Sequence, residues 1–153
     1  MILSESDSTI QLGSIETQED NTIDTNNIVR SATEAAIEMK ATDLTIIDVR
    51  NRTSLCDWFI LCNGTNPRQI RAIADHILRT FKKDLGMNPM GVEGTTGKKW
   101  VLIDLGDVIV HVFDQNMRGY YDLDGLWIDA PKVHPSEFGI EDVPMDALEY
   151  ALP

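Results

Sequence analysis

The stretch Trp100-Val-Leu-Ile-Asp-Leu-Gly-Asp-Val-Ile-Val-His-Val-Phe113 decides the fold. Two runs of β-branched and aliphatic residues flank Gly106-Asp107, a two-residue connection with glycine first, the form that a type II′ hairpin turn takes. If Leu105 pairs with Val108, the register follows by counting outward, because side chains alternate faces along a strand. One face of the hairpin then carries Val101, Ile103, Leu105, Val108, Val110 and Val112. The other carries Trp100, Leu102, Asp104, Ile109, His111 and Phe113. The first face is wholly aliphatic and has to be buried against helices. The second mixes aromatic rings with a carboxylate and an imidazole.

Upstream of the hairpin, Leu44–Val49 and Asp57–Cys62 read as two further strands. The second is apolar at every position after Asp57, as in a central strand covered on both sides. Asn63-Gly64-Thr65-Asn66-Pro67 ends it and opens a helix, with Asn66 as cap and Pro67 in the first turn. That helix is expected to run to about Lys83, with Ile70, Ile73, Ala74, Ile77, Leu78 and Phe81 inward and Arg68, Arg71, Arg79, Lys82 and Lys83 outward, and Gly86 stops it. An earlier helix spans about Asn26–Lys40, capped by Asp24 or Thr25, with Ile28, Ala32, Ala35, Ala36 and Met39 on one stripe. Met90–Glu93 is a short edge strand, and Gly94–Lys99 a turn. Beyond the hairpin, Gln115–Leu123 reads as a short helix and Leu126-Trp127-Ile128 as an apolar anchor before Pro131. The order predicts one α/β domain with a mixed, five-stranded sheet packed with helices.

The chain has 153 residues, 42% of them hydrophobic and 25% charged, with a net charge of −12. That charge sits at the ends. Residues 1–25 contain six acids and no base, namely Glu5, Asp7, Glu16, Glu19, Asp20 and Asp24. Residues 134–153 contain Glu137, Glu141, Asp142, Asp146 and Glu149, again without a base. The expected organisation is therefore a flexible acidic tail over 1–24, a folded domain over 25–133, and an acidic C-terminal tail over 134–153 with a short helix near Met145–Tyr150. The middle is nearly neutral and lacks the positive field that sequence-independent binding to phosphate backbones demands. No apolar run approaches the roughly 20 residues that span a bilayer, and the opening MILSESDSTI has neither the basic start nor the apolar core of a secretory signal. Cys56 and Cys62 match no zinc spacing and are too few for a disulfide framework, so reduced thiols are expected.

Several constellations bear on function. The mixed hairpin face suits recognition of a protein, with Trp100 as the leading anchor beside the basic pair Lys98-Lys99. The same face could equally be covered by the chain's own helix or C-terminal segment. Asp104 and Asp107 bracket the turn; they serve turn chemistry or, if they converge, a magnesium ion in a phosphoryl-transfer site. Asp122-Leu123-Asp124 sits beside Gly125, where aspartate commonly makes turns. His76, His111 and His134 have no mutual ligand spacing. Gly64–Pro67 could hold an anion at a helix start but lacks the Walker lysine.

Taken together, DWFILCNGTNPRQIRAIADHI from Asp57, VEG at Val92–Gly94, WVLIDLGDVIVHVF from Trp100 and RGYYDLDGLW from Arg118 closely resemble the ribosomal silencing factor (Iojap-related) family over about Asn27 to Pro131. The resemblance implies a nucleotidyltransferase-like fold without transferase activity or cofactor. It also implies a cytoplasmic protein, often dimeric when free, that binds the large ribosomal subunit through its protein number fourteen. There it would block joining of the small subunit and repress translation when nutrients are short, without reading nucleic-acid sequence and without a membrane. The implied partner-binding residues are Trp100 first, then Glu93, Asp104, Asp107, His111, Arg118 and Tyr121, joined from the hairpin face by Leu102 and Phe113. One departure stands out: the family's helix entry commonly reads Gly-Thr-Ser, and here Asn66 takes the capping position. The rival readings are a small magnesium-dependent nucleotidyltransferase-like enzyme, using Asp104, Asp107 and the Gly64-Thr65 turn, and a homodimeric scaffold.

Overall fold

Asp24 opens the first helix by accepting a hydrogen bond from the Asn26 amide at 3.0 Å, the expected capping chemistry. In this computed structural model, which describes residues 24–94 and 99–148, that helix, α1, spans Thr25–Glu38. Strands β1 (Thr42–Asp48) and β2 (Trp58–Gly64) follow, then helix α2 (Pro67–Leu85), β3 (Gly91–Glu93), β4 (Trp100–Asp104) and β5 (Val108–Asp114). Two one-turn helices, α3 (Arg118–Tyr121) and α4 (Leu123–Leu126), stand where a single short helix was expected. A two-residue strand, β6 (Lys132–Val133), and 3-10 turns at Pro135–Phe138 and Met145–Ala147 complete the chain.

The sheet has six strands in the order β3-β4-β5-β2-β1-β6. β2 and β5 run parallel and every other pairing is antiparallel. β6 is the strand absent from the five-stranded expectation. Two residues are too short for any periodic signal, and only pairing of Val133 with Ile46 and of Lys132 with Ile47 makes it a strand. The hairpin register is the one counted from its sequence, with Trp100 opposite Phe113 and Asp104 opposite Ile109. Leu105 bonds back to the Val108 carbonyl at 2.8 Å, and Gly106 takes φ +96°, a conformation natural to glycine.

Helices α1 and α2 cover one face of the sheet only. Their alanines and isoleucines pack with Val101, Ile103, Leu105, Val108, Val110 and Val112, the aliphatic face of the hairpin, to form the main core. α2 is capped by Asn66, whose side chain accepts from the Gln69 amide at 2.9 Å, and ends at Gly86 in the left-handed region. Asn therefore performs the capping expected of the residue it replaces.

The segment expected as an acidic C-terminal tail packs onto the body through residue 148. Phe138 sits edge-on against Trp58, ring centroids 5.1 Å apart, Ile140 and Ala147 are buried, and Leu148 bridges to Leu44. Glu137, Glu141, Asp142, Pro144 and Asp146, which made it look unstructured, are exposed, while Pro135 is buried beside Phe138. The N-terminal tail up to residue 23, the turn residues 95–98 with Lys98, and Tyr150 of the expected terminal helix lie outside the described residues.

Because Phe138 is part of the core, Phe138→Ala should lower unfolding free energy by about 2–4 kcal/mol. Met145→Ala, at an exposed position, should change it by less than about 0.5 kcal/mol. Urea unfolding of both variants checks this, and equal small effects would return the segment to the status of a tail.

Candidate partner-binding face

The opposite face of the sheet is built from Trp100, Leu102 and Asp104 of β4, Ile109, His111 and Phe113 of β5, and Phe59 and Leu61 of β2. Its fate differs from one side to the other. Over β2 and β1 it is roofed by the segment 118–130, with Trp127 edge-on to Phe59 at 5.4 Å and Leu123 and Ala130 packed on the cluster of Ile47, Val49, Phe59, Leu61 and Phe113. Over β3, β4 and the near half of β5 only Tyr121 of that segment reaches across, to Trp100, and no other roof lies among the described residues. Trp100, Leu102, Asp104 and Ile109 are half-exposed there and Glu93 is exposed, next to Leu102 in the ladder.

Trp100 is held from two directions. Its indole N–H donates to His111 Nδ1 at 3.0 Å. Its ring lies against Tyr121 (4.7 Å between centroids) and Phe113 (5.2 Å). Such pairs add to simple burial, so the half-exposed ring is held in a fixed position. The bond also sets the tautomer of His111: Nδ1 accepts, so the neutral ring carries its proton on Nε2. That atom is buried without a hydrogen-bond partner among the described residues, and the ring stands edge-on to Phe59 at 5.1 Å. Burial pushes the imidazole down to about 4.

Three of the nine expected contact residues are interior. Phe113 is fully buried and His111 almost so; they support Trp100 from beneath. Arg118 is only 5% exposed. Its guanidinium donates to the Asp43 carbonyl, to Asn63 Oδ1 (3.1 Å), to Thr45 Oγ1 (3.0 Å) and bidentately to Asp124 (3.0 Å each). At Asp124, burial is the largest influence and pushes upward, but the hydrogen bonds and charge of Arg118 outweigh it and hold the carboxyl below its usual range. Arg118 is thus a clamp between the sheet and the roofing segment. Tyr121 remains 37% exposed.

The turn carboxylates have separate duties. Asp104 Oδ1 accepts from the Gly106 amide at 2.9 Å. Asp107 Oδ2 accepts from Thr25 Oγ1 at 3.4 Å, toward the start of α1. Asp122 caps Gly125 while Asp124 faces Arg118. At the Gly64–Pro67 turn, the amides of Thr65 and Gln69 are engaged by the Gln69 and Asn66 side chains. His76 meets Glu38 and His134 meets Ser136. Among the described residues no three His, Cys, Asp or Glu side chains gather in a way that could hold a metal ion. Cys56 and Cys62 are buried free thiols. No helix of the described residues is long and apolar enough to cross a membrane.

Sequence reasoning passed over the outer surface of the roofing segment. Tyr120 is 79% exposed, and Leu126 and Ile128 are exposed too; of the expected apolar anchor only Trp127 turns inward. The doubled tyrosine in Arg118-Gly-Tyr-Tyr was the available signal, since a helix of one turn cannot bury both rings of adjacent residues. Tyr120 meets Tyr121 edge-on at 5.5 Å and extends the aromatic run outward from Trp100.

Fold and face place the chain among mixed-sheet α/β domains whose long helices cover one side of the sheet and leave part of the other open. Residues 22–149 match the family model described as ribosomal silencing factor during starvation. The chain is 38% identical over 106 residues to a ribosomal silencing factor of Halalkalibacterium halodurans, covering 69% of this chain and 90% of the relative. It is 37% identical over 105 residues to that of Bacillus subtilis, covering 69% and 88%. A crystal structure of a Chromobacterium violaceum protein superimposes with a TM-score of 0.66 at 35% identity, over 69% of this chain and 87% of that one. One from Bacillus halodurans gives 0.63 at 33%, over 71% and 97%. The chain belongs to the ribosomal silencing factor family, and the match runs to residue 149, through the segment that packs on Trp58.

Two predictions follow from the buried polar groups. Arg118→Ala strands Asp124 and the acceptors on Asn63 and Thr45, and should cost about 3–5 kcal/mol of stability; Arg118→Lys should recover little, because one ammonium cannot reach Asp43, Thr45, Asn63 and Asp124 together. Chemical denaturation of the two variants reads this directly. For His111, the unfolded chain takes up a proton below about pH 6.5 while the folded protein resists until about 4. Stability from this group is therefore complete above about 6.5 and drains away as pH falls toward 4. The loss between about pH 7 and pH 5 is about 2 kcal/mol. His111→Gln should remove that component, and urea midpoints that shift equally with pH in both proteins would contradict it.

Proposed function

We propose that this chain binds the large ribosomal subunit through its protein number fourteen, obstructs joining of the small subunit and so represses translation when nutrients are limited. The observation that carries the reading is the open strip of Trp100, Leu102, Ile109 and Tyr121, edged by Glu93 and Asp104. Aromatic and aliphatic side chains held in place are what an interface core requires, and the acids at its margin complement the basic surface usual in large-subunit proteins. The family description supplies the link to starvation. A mouse relative, 26% identical over 89 residues, is named mitochondrial assembly of ribosomal large subunit protein 1.

The proposed action is obstruction. It takes place in the cytoplasm and requires no turnover, no cofactor and no base-specific reading of RNA. A second copy of the chain could use the same strip when free, and then dimerisation and ribosome binding would compete.

The test is a subunit-joining assay with purified small and large subunits. Wild-type protein at saturation should keep them apart. Leu102→Glu, at a half-exposed position, should weaken co-sedimentation with large subunits by a hot-spot amount of about 2 kcal/mol, or about 30-fold in affinity. Trp100→Ala should do at least as much. Normal joining in the presence of saturating wild-type protein overturns the proposal.

A further inference from the structure

The helical side of the molecule carries a second surface with a different chemistry. Arg68, Arg71, Arg79, Lys82 and Lys83 are all exposed on α2, against Asp75 and Asp84 on the same helix. None of the five cations has an ion-pair partner among the described residues; Lys82 reaches only Asn88 Oδ1, at 3.5 Å. At the C-terminal end of α2, Leu78, Arg79, Lys82, Lys83, Asn88 and Pro89 line a shallow groove whose exposed surface is almost entirely apolar. Its floor is Leu78, Pro89 and the aliphatic stems of the basic residues, whose charged heads project beyond it.

A groove of this kind fits a peptide that carries aliphatic and acidic side chains together. A phosphate backbone would use the charges and leave the apolar floor empty. Residues 1–23 have the matching composition: Glu5, Asp7, Glu16, Glu19 and Asp20 without a single Lys or Arg, interspersed with Ile2, Leu3, Ile10, Leu12, Ile15 and Ile23. They join the body at Asp24, the cap of α1. Twenty-three residues can extend about 75 Å, against a radius of gyration of about 15 Å for a domain of this size, so the groove is within reach. We propose that residues 1–23 dock on the basic side of α2, aliphatic side chains in the Leu78–Pro89 groove and carboxylates on Arg79, Lys82 and Lys83. The acidic segment then neutralises this cationic surface and occupies it against other polyanions. This surface lies on the side of the sheet opposite Trp100, so the proposal stands independently of the ribosome-binding strip.

The buried cysteines make the test clean, because a cysteine introduced at Ser14 can carry a nitroxide label alone. In the full-length Ser14→Cys chain the label should broaden the amide signals of residues 78–89. The broadening should vanish in K82E/K83E, and at about 1 M salt, where screening shortens to about 3 Å. Broadening that survives both changes, or that falls elsewhere on the molecule, overturns the proposal. Broadening of an isotope-enriched, unlabelled chain by a labelled, unenriched one would assign the groove to a second copy and overturn it too. So would a single-stranded RNA oligonucleotide that shifts residues 78–89 no more strongly in E16Q/E19Q/D20N than in the wild type.

Discussion

A buried arginine governs how much of this sheet is available. Arg118 reaches across from the roofing segment to the Asp43 carbonyl, Thr45 and Asn63 on the sheet, and is clamped from its own side by Asp124. An uncompensated guanidinium in that position would be very costly, so the segment that carries it has one low-energy seat. Once it is seated, Trp127 and Leu123 follow onto Phe59 and its neighbours. The roof then covers β1 and β2, and the outer half of the sheet stays open. Asp43 contributes through its backbone at a register irregularity between Thr42 and Thr45, where its φ of +50° turns the chain.

The same roof stiffens the open half. Tyr121 leaves α3 directly against Trp100, and Trp100 is tied to His111 below it. The neutral imidazole is the acceptor in that bond, and its burial keeps it neutral. An aromatic anchor held by stacking and by a hydrogen bond loses little side-chain freedom on meeting a partner, which is the advantage of preorganisation. The interior residues Phe113, His111 and Arg118 act on the surface through Trp100 and Tyr121.

Much of this was legible in the sequence where local pattern and tertiary demand agree. The hairpin register could be counted because alternation is strict and Gly106-Asp107 leaves only one short connection. α2 could be bounded because Asn66, Pro67 and Gly86 each have a local reason to stand where they do. Other features were hidden because their reasons are remote. Arg118 looked like a surface residue, as an arginine usually is. Its acceptors at Asp43, Thr45 and Asn63 lie 75, 73 and 55 residues away, and only Asp124, six residues on, gave a local hint. Phe138, Ile140 and Ala147 follow no helical or strand period, so an acidic, proline-bearing stretch concealed a piece of the core. The alternation of the hairpin assigned Trp100, Leu102, Asp104, Ile109, His111 and Phe113 to one face, but which of them stay open and which are buried was decided by that remote arginine and the segment it seats.

The sheet also terminates in a particular way. Its margins are β3, three residues long, and β6, only two. Unpaired backbone at the rim of a sheet is an invitation to fibre-like growth, and strands this brief offer too few amide and carbonyl groups to accept it. Self-recognition through strand addition is therefore discouraged at both ends. Any stable pairing of two such molecules is steered toward broad-side stacking, where the chemistry of side chains rather than main chain sets who may join.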